Sequence, residues 1–225
     1  MTRTTIYPLI MIAAALVAVT ALIAAMGLDM RIAGLFYVRN VGFPVGDQQP
    51  WRLLYHYGTY PGLAMGATAL MVVAGGFVRP TLVRFRRQAL LVVLLLIIGP
   101  GMLVNTVFKD HWGRPRPRQV DVFGGTMSFH QPWQPGPVPK NASFPAGHPA
   151  IAFYLSAPYF ALREARHRRQ AVLWLWSGIG YGVVMGIARI MQGGHFLTDV
   201  VWSAGVVYLT GLALTAFMRR MPNAG

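Results

Sequence analysis

Apolar stretches long enough to cross a bilayer recur along this chain, and they constrain its fold more than any other feature. A helix needs about 20 apolar residues to span the hydrocarbon core. Six runs approach that length: Pro8 to Leu28, Tyr60 to Val78, Gln88 to Phe108, Phe144 to Leu162, Ala171 to Ala188 and Val200 to Met218. The composition agrees, since 55% of the residues are hydrophobic and only 12% charged, too apolar for an ordinary soluble domain of 225 residues. A cleaved signal sequence competes for the first run. That run is long for a signal core, however, and no small-residue cleavage pattern follows Gly27, so it reads as a span. No internal repeat or linker divides the chain, and residues 1–225 read as a single membrane-embedded domain.

The formal net charge of +14 raises nucleic acid as a partner, but the placement of the charges excludes it. Arg3, the segment Arg79 to Arg87, the segment Arg163 to Arg169 and the pair Arg219 and Arg220 fall on one side of a six-span layout with the N-terminus inside. That is the positive-inside pattern, which puts both termini in the cytoplasm. No cysteine is present, so disulfides, thiolate nucleophiles and Cys-ligated metals are excluded.

With this topology the long loops, Asp29 to Thr59 and Lys109 to Ser143, lie on the exoplasmic side. The second begins "KDHWGRPRPR", bringing Lys109, Arg114, Arg116 and Arg118 together where the charge rule calls for few cations. Pro115 and Pro117 stiffen that segment and forbid a helix. Guanidinium forks presented in this way suit the oxygens of a phosphate.

Two more stretches reach the same membrane face. "FPAGHP" carries Gly147 and His148 at an expected helix start, where free backbone N–H groups attract anions. "ARIMQGGHFLTD" carries Arg189, His195 and Asp199. If the sixth helix begins near His195, Asp199 lies one turn along the same face and accepts a proton from one imidazole nitrogen. The other nitrogen is then unprotonated and nucleophilic.

In order and spacing these three stretches resemble the signature of the type 2 phosphatidic acid phosphatase superfamily, which includes the vanadium-dependent haloperoxidases. Lys109 with Arg116-Pro117 is similar to its first part. Pro145, Gly147 and His148 are similar to its second, and Arg189, His195 and Asp199 to its third. The likeness spans about ninety residues. It implies an all-α fold, an integral membrane bundle of six transmembrane helices with the site at the exoplasmic end. It also implies that His195 is a nucleophile forming a phosphohistidine, that His148 is the acid for the leaving oxygen, and that Asp199 orients His195. Lys109, Arg116 and Arg189 hold the phosphoryl oxygens, Arg114 and Arg118 are further substrate contacts, and neither metal nor cofactor is implied.

The chain departs from that pattern at two positions. Alanines, Ala146 and Ala188, stand where the family carries serines. At the substrate-binding position Ala146, the missing hydroxyl would otherwise donate to a phosphate oxygen. A hydrogen bond to a charged group is worth about 1.5–3 kcal/mol, so the expected consequence is a weakened rather than a dead enzyme. The backbone around Gly147 stays available.

The expected function is hydrolysis of a lipid phosphate monoester or diphosphate at the exoplasmic face of a bacterial inner membrane. "FKDHWGRPRPRQVDVFGGT" and "RIMQGGHFLTDV" look most like the lipid A phosphatase branch. The partners are a phosphorylated membrane lipid and the bilayer. The alternatives are an undecaprenyl diphosphate or phosphatidylglycerophosphate phosphatase, a lipid phosphotransferase, and a non-catalytic phospholipid-binding or transport protein.

Overall fold

The computed structural model describes residues 3–163 and 168–220; Arg166 and His167 of the third basic segment lie outside them. Helix α1 (Arg3–Ala25) ends before Gly27, whose left-handed φ of 62° turns the chain into α2 (Leu28–Gly34). After a loop come α3 (Trp51–Tyr57), α4 (Tyr60–Gly75), the single turn α5 (Pro80–Val83) and α6 (Arg86–Leu96). The last of these continues without a break as a π-helix over Ile97–Phe108 and closes in α7 (Lys109–His111). A loop containing two 3₁₀ turns leads to α8 (Gly147–Phe153), α9 (Ala157–Leu162), α10 (Arg168–Met191) and α11 (Leu197–Met218).

The mostly helical architecture agrees with the all-α expectation. Four helical segments are long and apolar enough to cross a membrane: Tyr7–Ala25, Arg86–His111, Arg168–Met191 and Leu197–Met218. The other two expected spans fold differently. The second becomes the 16-residue α4, cut short by the glycine pair Gly75 and Gly76. The fourth becomes a series of short helices over 147–162, because Tyr154–Ser156 winds as a 3₁₀ turn and Pro158 restarts the helix.

Helix α11 is the pivot of the bundle. It packs against α1, α2, α6, the π-helix, α8, α9 and α10, and 56% of its span is buried, against 17% of the α1 span. Helix α10 meets α8, α9 and α11 closely because Gly178, Gly182 and Gly186 repeat every four residues. A side chain at these positions would run into Ser156, the Phe153 ring and Val200 respectively. Outward-facing residues such as Met11, Met71 and Leu173 are more than 60% exposed, an apolar exterior suited to lipid rather than water.

The π-helix positions the site. Pro100 has no N–H, and the stretch "GPG" (99–101) weakens the ordinary helical ladder. In the wider winding the Asn105 amide donates to the Pro100 carbonyl at 2.7 Å, and the strand of chain delivers Lys109 to the N-terminus of α8. An apolar groove lined by Leu63, Leu96, Ile97, Pro100, Met102 and Ile151, with Asn105 in its wall, lies on this flank.

Candidate active site

Gly147 shows how close the first two motif stretches come. A Cβ built there would sit 2.5 Å from Asn105 Oδ1 and 3.3 Å from Lys109 Nζ, so only glycine lets α8 begin against the lysine. Next to it His148 is half-buried, with its ring stacked on Tyr55 at 5.2 Å. Tyr55 also receives the Arg189 guanidinium over its face, 4.6 Å from the ring centre. Burial, with the charges of Arg189 and Lys109, lowers the His148 pKa to about 4. The imidazole is therefore neutral, and it is surrounded by cations.

The cations themselves are held by neutral acceptors. Arg116 is 8% exposed and donates through Nη2 to the Asn141 carbonyl at 3.0 Å and to its side-chain Oδ1 at 2.9 Å. Burial, and then the charge of Arg118, lower its pKa from the ordinary arginine value. Arg189 is 4% exposed and donates to Gln192 Oε1, while its Nε is buried without a hydrogen-bond partner among the described residues. Gln192 is in turn anchored through Nε2 to the carbonyls of Gly46 at 3.2 Å and Trp51 at 3.1 Å. Arginines restrained by amides and carbonyls keep their full charge available for an anion.

The third stretch corrects the sequence reading. The sixth helix starts at Leu197 with Phe196 as its N-cap, so His195 precedes the helix and does not share a face with Asp199. Asp199 turns back at the third helical position, and its Oδ2 accepts from the Phe196 amide at 2.7 Å and from Ser143 Oγ at 2.5 Å. His195 Nδ1 instead lies 2.7 Å from the Ser143 carbonyl, with Asp199 Oδ2 at 3.8 Å. A carbonyl only accepts, so Nδ1 carries the proton and Nε2 keeps its lone pair. The expected tautomer results, fixed by Ser143 rather than by the carboxylate directly. Burial dominates the His195 pKa and lowers it to about 3, against the opposing pull of Asp199.

Arg114 is also corrected. It is fully buried and is not a substrate contact. Its Nη1 donates to Asp199 Oδ1 at 2.5 Å and to Thr198 Oγ1 at 2.8 Å, its Nη2 to Asp29 Oδ2 at 2.8 Å, and its Nε to the His130 carbonyl at 2.9 Å. The guanidinium also lies over the rings of Phe196 and Phe129, 4.6 and 5.5 Å from their centres. Arg118, by contrast, is exposed at the rim and acts on the charges of Arg116 and Arg189.

Asp29, Ser143, Asn141, Gln192 and Tyr55 were not singled out from sequence, yet each touches a motif residue. Asp29 carried a signal: it is one of only six acidic residues and stands at the end of an apolar run, where a carboxylate needs a partner. Ala146 is fully buried. Its amide donates to the Asp199 carbonyl at 3.2 Å, its carbonyl accepts from Ser203 Oγ at 2.7 Å, and its methyl group packs with Val104, Ala150 and Val207. Ala188 is fully buried in α10.

Residues 89–222 match the PAP2 superfamily. The lipid A 4'-phosphatase of Francisella tularensis subsp. novicida is 32% identical over 196 residues, covering 86% of this chain and 87% of that protein. The lipid A 4'-phosphatase of Rhizobium leguminosarum is 39% identical over 144 residues, 62% of this chain and 60% of that one. The crystal structure of the transmembrane PAP2-type phosphatidylglycerolphosphate phosphatase from Bacillus subtilis superimposes with a TM-score of 0.61 at 20% identity, covering 97% of this chain and 100% of that one, a likeness of fold. Cations held by neutral acceptors, a buried imidazole with a free Nε2 and a match over more than half of the sequence lead to one conclusion: the chain belongs to the PAP2 superfamily and is a phosphoric ester hydrolase of the membrane.

Proposed function

We propose that this protein hydrolyses a lipid phosphate, with a lipid A-type phosphate favoured over undecaprenyl diphosphate and phosphatidylglycerophosphate, through a phosphohistidine on His195. The observation that carries the proposal is the juxtaposition of a neutral, Nδ1-protonated His195 with Arg116 and Arg189, which have no carboxylate among their hydrogen-bond partners in the described residues. Lys109, Arg116 and Arg189 hold the phosphoryl oxygens and stabilise their charge during transfer. His195 Nε2 attacks phosphorus as the bond to the lipid oxygen breaks. His148 gives its proton to that oxygen, then takes one from the water that cleaves the N–P bond and releases phosphate.

The low pKa of His148 fits this role. A phosphate dianion offsets the charges of Arg189 and Lys109 that suppress its protonation, so the acid is loaded only when substrate is present. The groove with Asn105 in its wall offers the apolar surface that a lipid tail requires.

The placement of charge supports an exoplasmic site on a bacterial inner membrane. Arg86 and Arg87, Arg168 and Arg169, and Arg219 and Arg220 stand at the ends of three membrane helices opposite Lys109, Arg189 and Asp199. Both termini are then cytoplasmic, with the pocket facing the periplasm. Sequence similarity to the two lipid A 4'-phosphatases supports the substrate preference.

The test is phosphate release from lipid A, undecaprenyl diphosphate and phosphatidylglycerophosphate, combined with trapping of a labelled intermediate. An acid-labile, alkali-stable phosphoenzyme is expected in the wild type and not in His195→Ala. Phosphate release that persists in His195→Ala sinks the mechanism.

A further inference from the structure

We propose that Tyr55 is a positioning residue for the phosphoryl transfer: its ring carries both the acid His148 and the phosphate-holding Arg189, and steadies their positive charges at one phosphate. The inference rests on the phosphatase reading above and adds a residue to its machinery. Tyr55 stands in α3, outside the residues 89–222 that match the PAP2 superfamily.

Helix α3 buries none of its own residues, yet it is fastened at both ends to α10 and the turn that follows it. At its start the Trp51 carbonyl accepts from Gln192 Nε2 at 3.1 Å. Just past its end the Gly58 carbonyl accepts from the Tyr181 hydroxyl at 2.8 Å. Gly46 and Gly58 permit these approaches, since a side chain at either position would run into Gln192 or Met185 respectively. The two anchors give the short helix a fixed place beside the site. Tyr55 itself is 41% exposed, so what its ring supports is the site and not a core.

Two site groups rest on that ring. The His148 imidazole is stacked on it, with 5.2 Å between ring centres and 18° between planes, and the Arg189 guanidinium lies over it at 4.6 Å. The imidazole also hydrogen-bonds the Tyr55 backbone, a contact that favours its protonated form. The charges of Arg189, Lys109 and Arg116 all oppose that form, so an imidazolium here needs a compensating surface. The negative face of an aromatic ring supplies one, and the same ring attracts the guanidinium beside it. Both contacts are made by the ring and not by the hydroxyl.

The experiment uses the full-length protein and whichever of lipid A, undecaprenyl diphosphate and phosphatidylglycerophosphate the wild type turns over. It measures the single-turnover rate of P–O cleavage at saturating substrate, as a function of pH, for wild type, Tyr55→Leu and Tyr55→Phe. Cleavage needs the protonated acid, so the rate falls as pH rises through the His148 pKa of the complex. Tyr55→Leu should move that alkaline limb to lower pH by about 0.5–1.5 units, the worth of one cation–π contact, and slow cleavage above the limb by roughly three- to thirtyfold. Below the limb His148 is protonated in either protein, and the two rates should converge to within about twofold. Tyr55→Phe, which keeps the ring, should follow the wild-type profile. A loss in Tyr55→Leu that is the same at every pH, no loss at all, an equal loss in Tyr55→Phe, or a Tyr55→Leu protein that no longer folds overturns the proposal. Failure of the phosphatase reading would look different: the wild type would turn over none of the three lipids, or turnover would survive His195→Ala.

Discussion

Arg114 and Arg116 stand two residues apart in "GRPRP", share a residue type and lie on the same stiffened segment, yet they have opposite environments. Arg114 is enclosed by two carboxylates, Asp29 and Asp199, and by the rings of Phe129 and Phe196. Arg116 is buried nearly as well but is met by Asn141, a neutral residue. A buried cation surrounded by carboxylates is part of the scaffold, whereas one steadied only by neutral oxygens still has a charge to share with an anion. The same division separates Asp199, whose oxygens are fully engaged in the scaffold, from the pocket on the other side of His195.

Replacement of each arginine separates the two roles. Arg114→Ala leaves Asp29 and Asp199 facing each other without their cation. It is expected to destabilise the protein by about 3–5 kcal/mol, measured by thermal or denaturant unfolding in detergent. A variant as stable as the wild type would erase the distinction from its structural side. Arg116→Ala should leave the unfolding midpoint near the wild-type value and lower kcat/KM roughly 10²- to 10³-fold, as loss of a donor to a developing phosphoryl charge does. If it unfolds instead while keeping its rate, the assignment of the pair is inverted.

A smaller effect is expected at the N-cap of α8. Ala146→Ser adds a hydroxyl beside Gly147, and a gain of about 1.5–3 kcal/mol in transition-state binding corresponds to a rise of roughly ten- to a hundredfold in kcat. An unchanged rate would show that the buried methyl site does not direct the hydroxyl toward the phosphate. His195, on the border of the two regions, should show the smallest effect per unit of change. Its folded pKa of about 3 lies below the ordinary 6.5, so the folded state binds fewer protons than the unfolded state. Its contribution to stability is then fully present above about pH 6.5 and is lost as pH falls toward 3, by at most about 1.4 kcal/mol per pH unit. His195→Gln should flatten the stability profile in that window; a profile identical to wild type would mean that His195 is not sequestered in its neutral form.

Much of the site was legible because its chemistry needs particular residue types at fixed spacings. Lys109, Arg116, Gly147, His148, Arg189, His195 and Asp199 come from three separate stretches that the fold carries to one end of the bundle, with Lys109 against Gly147 and Arg189 acting on His148. One part of the pattern misled. The spacing of four between His195 and Asp199 implied one helical face, but the helix starts two residues after His195 and the carboxylate caps that start. The six apolar runs all fold as helix, four of them as single long helices, while Gly75 and Gly76 shorten the second and Pro158 restarts the fourth.

The sequence by itself determined that this chain belongs in a membrane, which end of its helices carries the basic residues, and which residues can handle a phosphate. These follow from composition and local spacing, which survive without knowledge of long-range contacts. Only the tertiary structure decided which cations are neutralised. Asp29 reaches Arg114 across 85 positions, and the Ser143 carbonyl accepts the His195 hydrogen bond across 52. The free energy of a buried charge depends on the few atoms around it, and those atoms come from wherever the folded chain happens to bring them.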